Sequence, residues 1–128
     1  MKQLEKTVLS YLQDRNWDQL RPSDISKSIS IEAAELLELF QWSNDSLETI
    51  KNDEDKKEAI AKELADILLY ALDLSVLLGF DTEKIILEKL DYVSKKYPAE
   101  LMKKKTGKEP GTDDIYLAIK KKYRRKGL

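Results

Sequence analysis

Leu64-Ala-Asp-Ile-Leu-Leu-Tyr-Ala-Leu-Asp-Leu-Ser-Val-Leu-Leu78 is apolar around almost the whole circumference of a helix, and only Asp66, Tyr70, Asp73 and Ser75 interrupt it. A helix of that kind must be covered on nearly every side. Gly79 follows at once, and glycine takes the left-handed conformation that ends many helices. The spacing predicts a helix from about Asp55 to Leu78, too polar at its start and too interrupted to be the ~18-residue apolar span of a membrane helix. Covering it requires other helices, so the stretch decides the fold class.

Working outward, the chain of 128 residues has four Gly, three Pro and almost no β-branched alternation. The expectation is therefore all-α. A first helix is expected over about Gln3 to Asp14, and a second to about Trp42, with Ser23 or Asp24 as its cap after Pro22. A short helical turn is expected at Ser46–Lys51. Asp81 or Thr82 can start a fourth main helix that runs to Lys96, ahead of Tyr97-Pro98. Four main helices with short links predict a four-helix bundle. Its central helix has more apolar surface than a four-helix monomer of this size can cover, so the bundle is expected to be oligomeric.

Beyond Pro98 the pattern weakens, Thr106–Thr112 reads as a loop, and a last short helix is expected over Asp113–Lys126. Charge divides the chain in the same region. Met1–Met102 holds 13 basic and 21 acidic residues, a net of −8, whereas Lys103–Leu128 holds 10 and 3, a net of +7. The expected organisation is an acidic helical domain over 1–102 and a basic C-terminal appendage over 103–128. Ile115, Ile119 and Tyr123 form a stripe in that appendage, ringed by Lys120-Lys-Lys122 and Arg124-Arg-Lys126. It can dock on the acidic body, draw in a polyanion or stay solvated; only its charge speaks for nucleic acid, with no reading motif.

Histidine and cysteine are both absent. That removes disulfides, thiolate nucleophiles, zinc fingers and every imidazole-based acid or base. Chemistry must rest on carboxylates, Lys, Tyr or a metal. The polar start of the chain is unlike a secretory signal, so a cytoplasmic location is expected.

The carboxylates are oddly placed. On the second helix Ile29, Ala33, Leu36 and Phe40 define the apolar centre, and Glu32 falls on its flank with Glu35 one turn on. On the third, Glu63 and Asp66 share a face with Tyr70. Two helices thus carry acid pairs at i, i+3. A buried lone carboxylate takes up a proton or finds a cation, and antiparallel packing would bring Glu32, Glu35, Glu63 and Asp66 around one volume. Oxygen-only ligands suit Mg²⁺, with Mn²⁺ as a substitute. A di-iron bundle normally adds Glu-x-x-His, absent here. Such acid pairs in a chain this charged also occur simply as solvated faces or caps.

These segments resemble a known family. Trp17-Asp-Gln-Leu20, Ile31-Glu-Ala-Ala-Glu-Leu-Leu-Glu-Leu-Phe-Gln-Trp42, Glu63-Leu-Ala-Asp66-Ile-Leu-Leu-Tyr70, and Glu88-Lys-Leu-Asp91 followed by Lys96-Tyr97-Pro98 are similar to the MazG-like nucleoside triphosphate pyrophosphohydrolases, in their compact dCTP-pyrophosphatase-like branch. The resemblance spans roughly Leu9–Glu100. It implies an all-α dimer or tetramer that hydrolyses a nucleoside triphosphate between the α and β phosphates, as nucleotide-pool housecleaning. It further implies that Glu32, Glu35, Glu63 and Asp66 are the catalytic, Mg²⁺-binding acids. Trp42 and Tyr70 match base and sugar positions, Trp17 is a further substrate-binding candidate, and Lys89 matches a position near the phosphates; the plain alternatives are core packing for Trp42 and Tyr70, a structural anchor between the first two helices for Trp17, and an exposed helix charge for Lys89. Val8 and Arg21 stand where cytosine-selective relatives often have histidine, and Val93 where Asn is common. Asp73 can pair with a lysine across an interface or extend the acidic site. The alternative function is a non-catalytic helical interaction module with a nucleic-acid-binding basic tail.

Overall fold

In the computed structural model, which describes residues 1–103 and 114–128, the chain is all-helical, with no strand among those residues. The expected loop at Thr106–Thr112 lies outside them. The helices are α1 (Lys2–Asp14), α2 (Pro22–Glu38), α3 (Leu47–Lys51), α4 (Glu54–Leu77), α5 (Thr82–Lys96), α6 (Ala99–Lys103) and α7 (Asp114–Arg125). None of the described helices is long and apolar enough to cross a membrane.

Local chemistry sets the ends. Asp53 caps α4, its carboxylate accepting from the Lys56 N–H at 3.0 Å, and Ser46 does the same for α3 through the Thr49 N–H at 3.2 Å. Gly79 closes α4 at φ +71°, the left-handed region that costs glycine nothing. Two expectations need correction at α2. Its N-cap is Arg21 rather than Ser23 or Asp24: Pro22, with no N–H to satisfy, takes the first helical position. Asp24 then sits in the first turn, accepting from the Arg21 Nε–H at 2.8 Å. The helix also stops at Glu38 instead of Trp42, because the N–H groups of Leu39, Phe40 and Gln41 bond three residues back, which tightens the chain into turns.

Two compact units make up the chain, Met1–Glu83 and Lys84–Leu128. In the first, α1 and α2 both pack against α4. The buried core is small, with Val8, Leu12 and Leu72 packed against Val76 and Leu77. Opposite its C-terminal end, α4 meets the start of α1: Glu5 accepts from the Thr82 N–H at 2.7 Å, and the Thr82 hydroxyl and N–H hold the Glu5 carboxyl below the usual carboxylate range. Opposite its N-terminal end it meets the end of α2, where the Lys56 ammonium donates to the Leu39 carbonyl and lies 5.0 Å from the centre of the Phe40 ring. Both neighbours therefore run antiparallel to α4, one over each half.

Among the described residues, cover on every side of α4 is not found. Leu64, Leu68, Leu69 and Leu78 are exposed, while the buried positions are Leu72, Asp73 and Ser75. The Ser75 hydroxyl is satisfied by the Thr82 hydroxyl at 2.7 Å.

In Lys84–Leu128, tyrosines carry the packing. Tyr92 meets Tyr123 edge to face at 6.3 Å, and Tyr97 stacks on Tyr116 at 5.0 Å. The Lys96 ammonium lies 4.7 Å from the Tyr123 ring centre and 5.4 Å from that of Tyr97. The basic helix α7 is thus held by its tyrosines rather than standing free in solvent.

Candidate active site

The acidic cluster forms where α2 and α4 pass each other. Because the helices are antiparallel, residues i, i+3 on one can face i, i+3 on the other. One carboxylate oxygen each from Glu32, Glu63 and Asp66 lies within 4.8 Å of the other two, and all three side chains are half-buried. Glu35 is exposed and outside that set, yet close enough to act on it. Burial first, and then the neighbouring Glu35 charge and contact, push both the Glu32 and the Glu63 carboxyl above the usual carboxylate range. Asp66 adds to the repulsion on each.

The cluster lacks the compensation that buried acids ordinarily have. Among the described residues, Glu63 Oε2 is buried without a hydrogen-bond partner, and no ion pair involves any of the four acids. Lys62 only partly offsets the field at Glu63. Like charges crowded in this way are stable when protonated or when a cation sits between them. The donor set is all oxygen, half-buried and carries an orphan lone pair, which fits a hard divalent cation.

One helical turn further along both helices, Ser28 before Glu32 and Tyr70 after Asp66, a cavity of about 290 Å³ opens. At 1.5 Å rise per residue the offset is about 6 Å. Its buried residues are Leu12, Ile25 and Asp73, and Tyr11, Trp17 and Leu20 are its more exposed walls. Tyr11 and Trp17 meet edge to face at 5.9 Å, a favoured arrangement of two quadrupoles. Asn16, at φ +57°, lets the chain turn sharply after α1 so that the Trp17 N–H reaches the Leu12 carbonyl at 2.8 Å. That bond fixes where the indole stands.

Of the residues singled out in the sequence, the structure brings together Glu32, Glu35, Glu63 and Asp66 in one place and Trp17 and Tyr70 in the adjoining cavity. Trp42 lines none of this cavity and is 90% exposed, so it is no core anchor within the chain. Lys89 belongs to the second unit, its ammonium 4.9 Å from the Tyr92 ring centre. Tyr11 and Ser28 stand out in the structure alone; Leu20 was visible only as the end of the Trp17 segment and Asp24 only as a candidate cap, and the one faint signal for Tyr11 is an aromatic six residues before Trp17.

Comparison with known proteins accords with this geometry. The MazG-like family profile matches residues 27–109, well over half of the chain. The chain is 26% identical over 110 residues to dCTP pyrophosphatase 1 of Homo sapiens, covering 84% of this chain and 65% of that protein. It is 27% identical over 111 residues to dCTP pyrophosphatase 1 of Bos taurus, covering 79% and 61%. The chain thus spans less than two thirds of the length of these relatives. A solved pyrophosphatase from Archaeoglobus fulgidus superposes with a TM-score of 0.66 at 33% identity, over 77% of this chain and 92% of the other.

Proposed function

This chain belongs to the MazG-like family, and from that membership and the convergent acids beside an aromatic cavity we propose that it is a Mg²⁺-dependent nucleoside triphosphate pyrophosphohydrolase. The observation that carries the reading is the cluster itself: three carboxylate oxygens within 4.8 Å of one another, with a buried orphan at Glu63 Oε2. Glu32, Glu63 and Asp66 would hold the metal. Mg²⁺ supplies positive charge against the triphosphate and makes water a stronger acid, chemistry that needs no histidine.

The rest falls to side chains. Trp17 and Tyr70 hold the base end in the cavity, which at about 290 Å³ is large enough for a base yet sits at the low edge of the roughly 300–1,000 Å³ of whole-ligand pockets. The triphosphate then extends about one turn along α2 and α4 to the acids. Glu35, outside the three-oxygen set but touching Glu32 and Glu63, orients the attacking water and takes its proton. The water oxygen bonds to the α phosphorus as the bond from that phosphorus to the α–β bridging oxygen breaks; a nucleoside monophosphate and pyrophosphate leave. Lys89 is assigned to phosphate charge and Trp42 to base or sugar. The exposed Leu64 and Leu68 on α4 fit burial against a second copy, in a homodimer or homotetramer. Removal of surplus or damaged nucleotides is the role such an activity would serve.

The test is direct. Purified protein is incubated with a panel of nucleoside triphosphates and Mg²⁺, and monophosphate and pyrophosphate are both measured, with Glu63→Gln and Asp66→Asn in parallel. Equimolar products that vanish in both variants are expected. No product from any nucleotide, in a folded protein that Mg²⁺ does not stabilise, would refute the proposal and favour a helical interaction module that uses the cations of α7, recognisable by steeply salt-dependent binding to DNA or RNA.

A further inference from the structure

Asp73 is a charged side chain in the wrong place. It is 5% exposed, on the face of α4 that packs into the chain, and its Oδ1 has no hydrogen-bond partner among the described residues. Its neighbour in burial, Ser75, shows how a polar group on this face is normally settled, paired with Thr82. Asp73 has no such arrangement, and burial pushes its carboxyl above the usual range. An unmade hydrogen bond in the interior costs more than a made one returns, so a group left this way calls for a ligand.

Asp73 lines the aromatic cavity, where Asp24 and Ser28 are otherwise engaged. Asp24 is paired with Arg21 at 2.8 Å and Lys27 at 3.6 Å, and the Ser28 hydroxyl donates to the Asp24 carbonyl at 3.2 Å. No lysine or arginine among the described residues lines the cavity. What would satisfy Asp73 is a flat, largely apolar group that fits between Tyr11, Trp17 and Tyr70 and carries an N–H donor on its inner edge. An ionised carboxylate offers only acceptors, and a protonated one keeps an acceptor oxygen.

We propose that Asp73 is the base-selecting residue of this chain, its carboxylate at the floor of the cavity accepting a hydrogen bond from the exocyclic amino group of a nucleobase and disfavouring a base with an oxo group at that position. The inference rests on the nucleotide reading above and deepens it. Cytosine and uracil are the sharpest pair, because they share ring size and differ at that edge: an amino donor beside a ring acceptor in one, a carbonyl beside a ring N–H in the other. Leaving the buried Asp73 acceptor facing a carbonyl places two acceptors together, the situation that polar sites reject most strongly.

The experiment is equilibrium calorimetry of dCMP and dUMP with the full chain in Mg²⁺, on wild type, Asp73→Asn and Asp73→Leu, alongside kcat/KM for dCTP and dUTP. Wild type is expected to favour dCMP by roughly 5- to 150-fold, the discrimination of one good base-edge contact. Asp73→Leu should bring the ratio to within about twofold, and Asp73→Asn, whose amide can donate to a carbonyl, should narrow or invert it. A wild-type ratio within twofold, binding of neither nucleotide at millimolar concentration, or a preference kept intact in folded Asp73→Leu would each overturn the proposal; the first two need no variant to fold. An Asp73-dependent preference in binding without pyrophosphate release from any triphosphate would refute the hydrolase reading while leaving this one standing. Release from dCTP and dUTP with equal kcat/KM would do the reverse.

Discussion

Mg²⁺ should stabilise this protein, with a slope that counts the ions bound. The acid cluster is the reason: Glu32, Glu63 and Asp66 place oxygens within 4.8 Å of one another, and Glu35 adds a fourth negative charge beside them. A ligand that binds only the folded state stabilises it by RT ln(1 + [L]/Kd), so above the dissociation constant each tenfold rise in free Mg²⁺ adds about 1.4 kcal/mol for one ion and about 2.8 for two. For a chain of this length a kcal/mol corresponds to roughly 3–6 °C in Tm, so one ion gives about 4–8 °C per decade. The assay is thermal unfolding across a Mg²⁺ series at constant ionic strength, at pH 5 and pH 7. The direction of the pH effect follows from the upward shifts at Glu32 and Glu63. The folded chain holds those protons more tightly than the unfolded one, so metal-free stability falls as pH rises through and above the ordinary carboxylate range. Mg²⁺ competes with the protons and should therefore stabilise more at pH 7 than at pH 5. Glu63→Gln should raise the metal-free Tm at pH 7 and flatten the Mg²⁺ slope. A slope equal in wild type and Glu63→Gln, or stabilisation larger at pH 5, would refute the placement of the ion among these acids.

Three stability changes test the scaffold, each by urea unfolding. Leu12→Ala should cost about 3–5 kcal/mol, since Leu12 is 1% exposed, packs in the core and also floors the cavity; a loss under 1 kcal/mol would mean that the core collapses around the gap. Gly79→Ala should cost about 1–2 kcal/mol from the left-handed backbone alone, because a Cβ there meets no atom within 4 Å. Asp53→Ala should cost about 1 kcal/mol by removing the α4 cap, and Asp53→Ser should restore most of it.

Much of this was legible in the sequence where a short-range rule decides. Gly79 ends α4 and Ser46 starts α3 as residue chemistry requires. The acid cluster was legible as one of two readings, because acid pairs at i, i+3 also occur as solvated faces or caps and only the antiparallel packing of α2 on α4 brings Glu32, Glu63 and Asp66 together. The start of α2 was misjudged because two good capping residues stood just inside a proline, and the proline's fixed φ and missing N–H outweighed them. The cavity was not legible as a whole. Tyr11, Leu20, Asp24 and Ser28 come from α1, the turn after it and α2, and only the handover from α1 to α2 along α4 brings them together.

The apolar run that decided the fold holds the deepest lesson. Periodicity registers that Leu64 and Leu68 need cover, but the same pattern results whether the cover is this chain or another copy, and among the described residues those leucines are exposed. Its four interruptions, indistinguishable as letters, separate once the neighbours are known. Asp66 joins the acids, Tyr70 walls the cavity and Ser75 pairs with Thr82. Asp73 alone is buried with an oxygen that nothing in the described chain satisfies. A helix that spends its leucines on the outside and buries an unpartnered carboxylate is poorly optimised as a monomer's core. Both departures make sense for one element serving two further surfaces, a subunit face on one side and a binding cavity on the other. Disrupting the leucine face with Leu68→Glu should therefore change the mass measured by light scattering, whereas Asp73→Asn should leave that mass unchanged and alter only what the cavity accepts. A loss of assembly in both variants would show that Asp73 belongs to the subunit face instead.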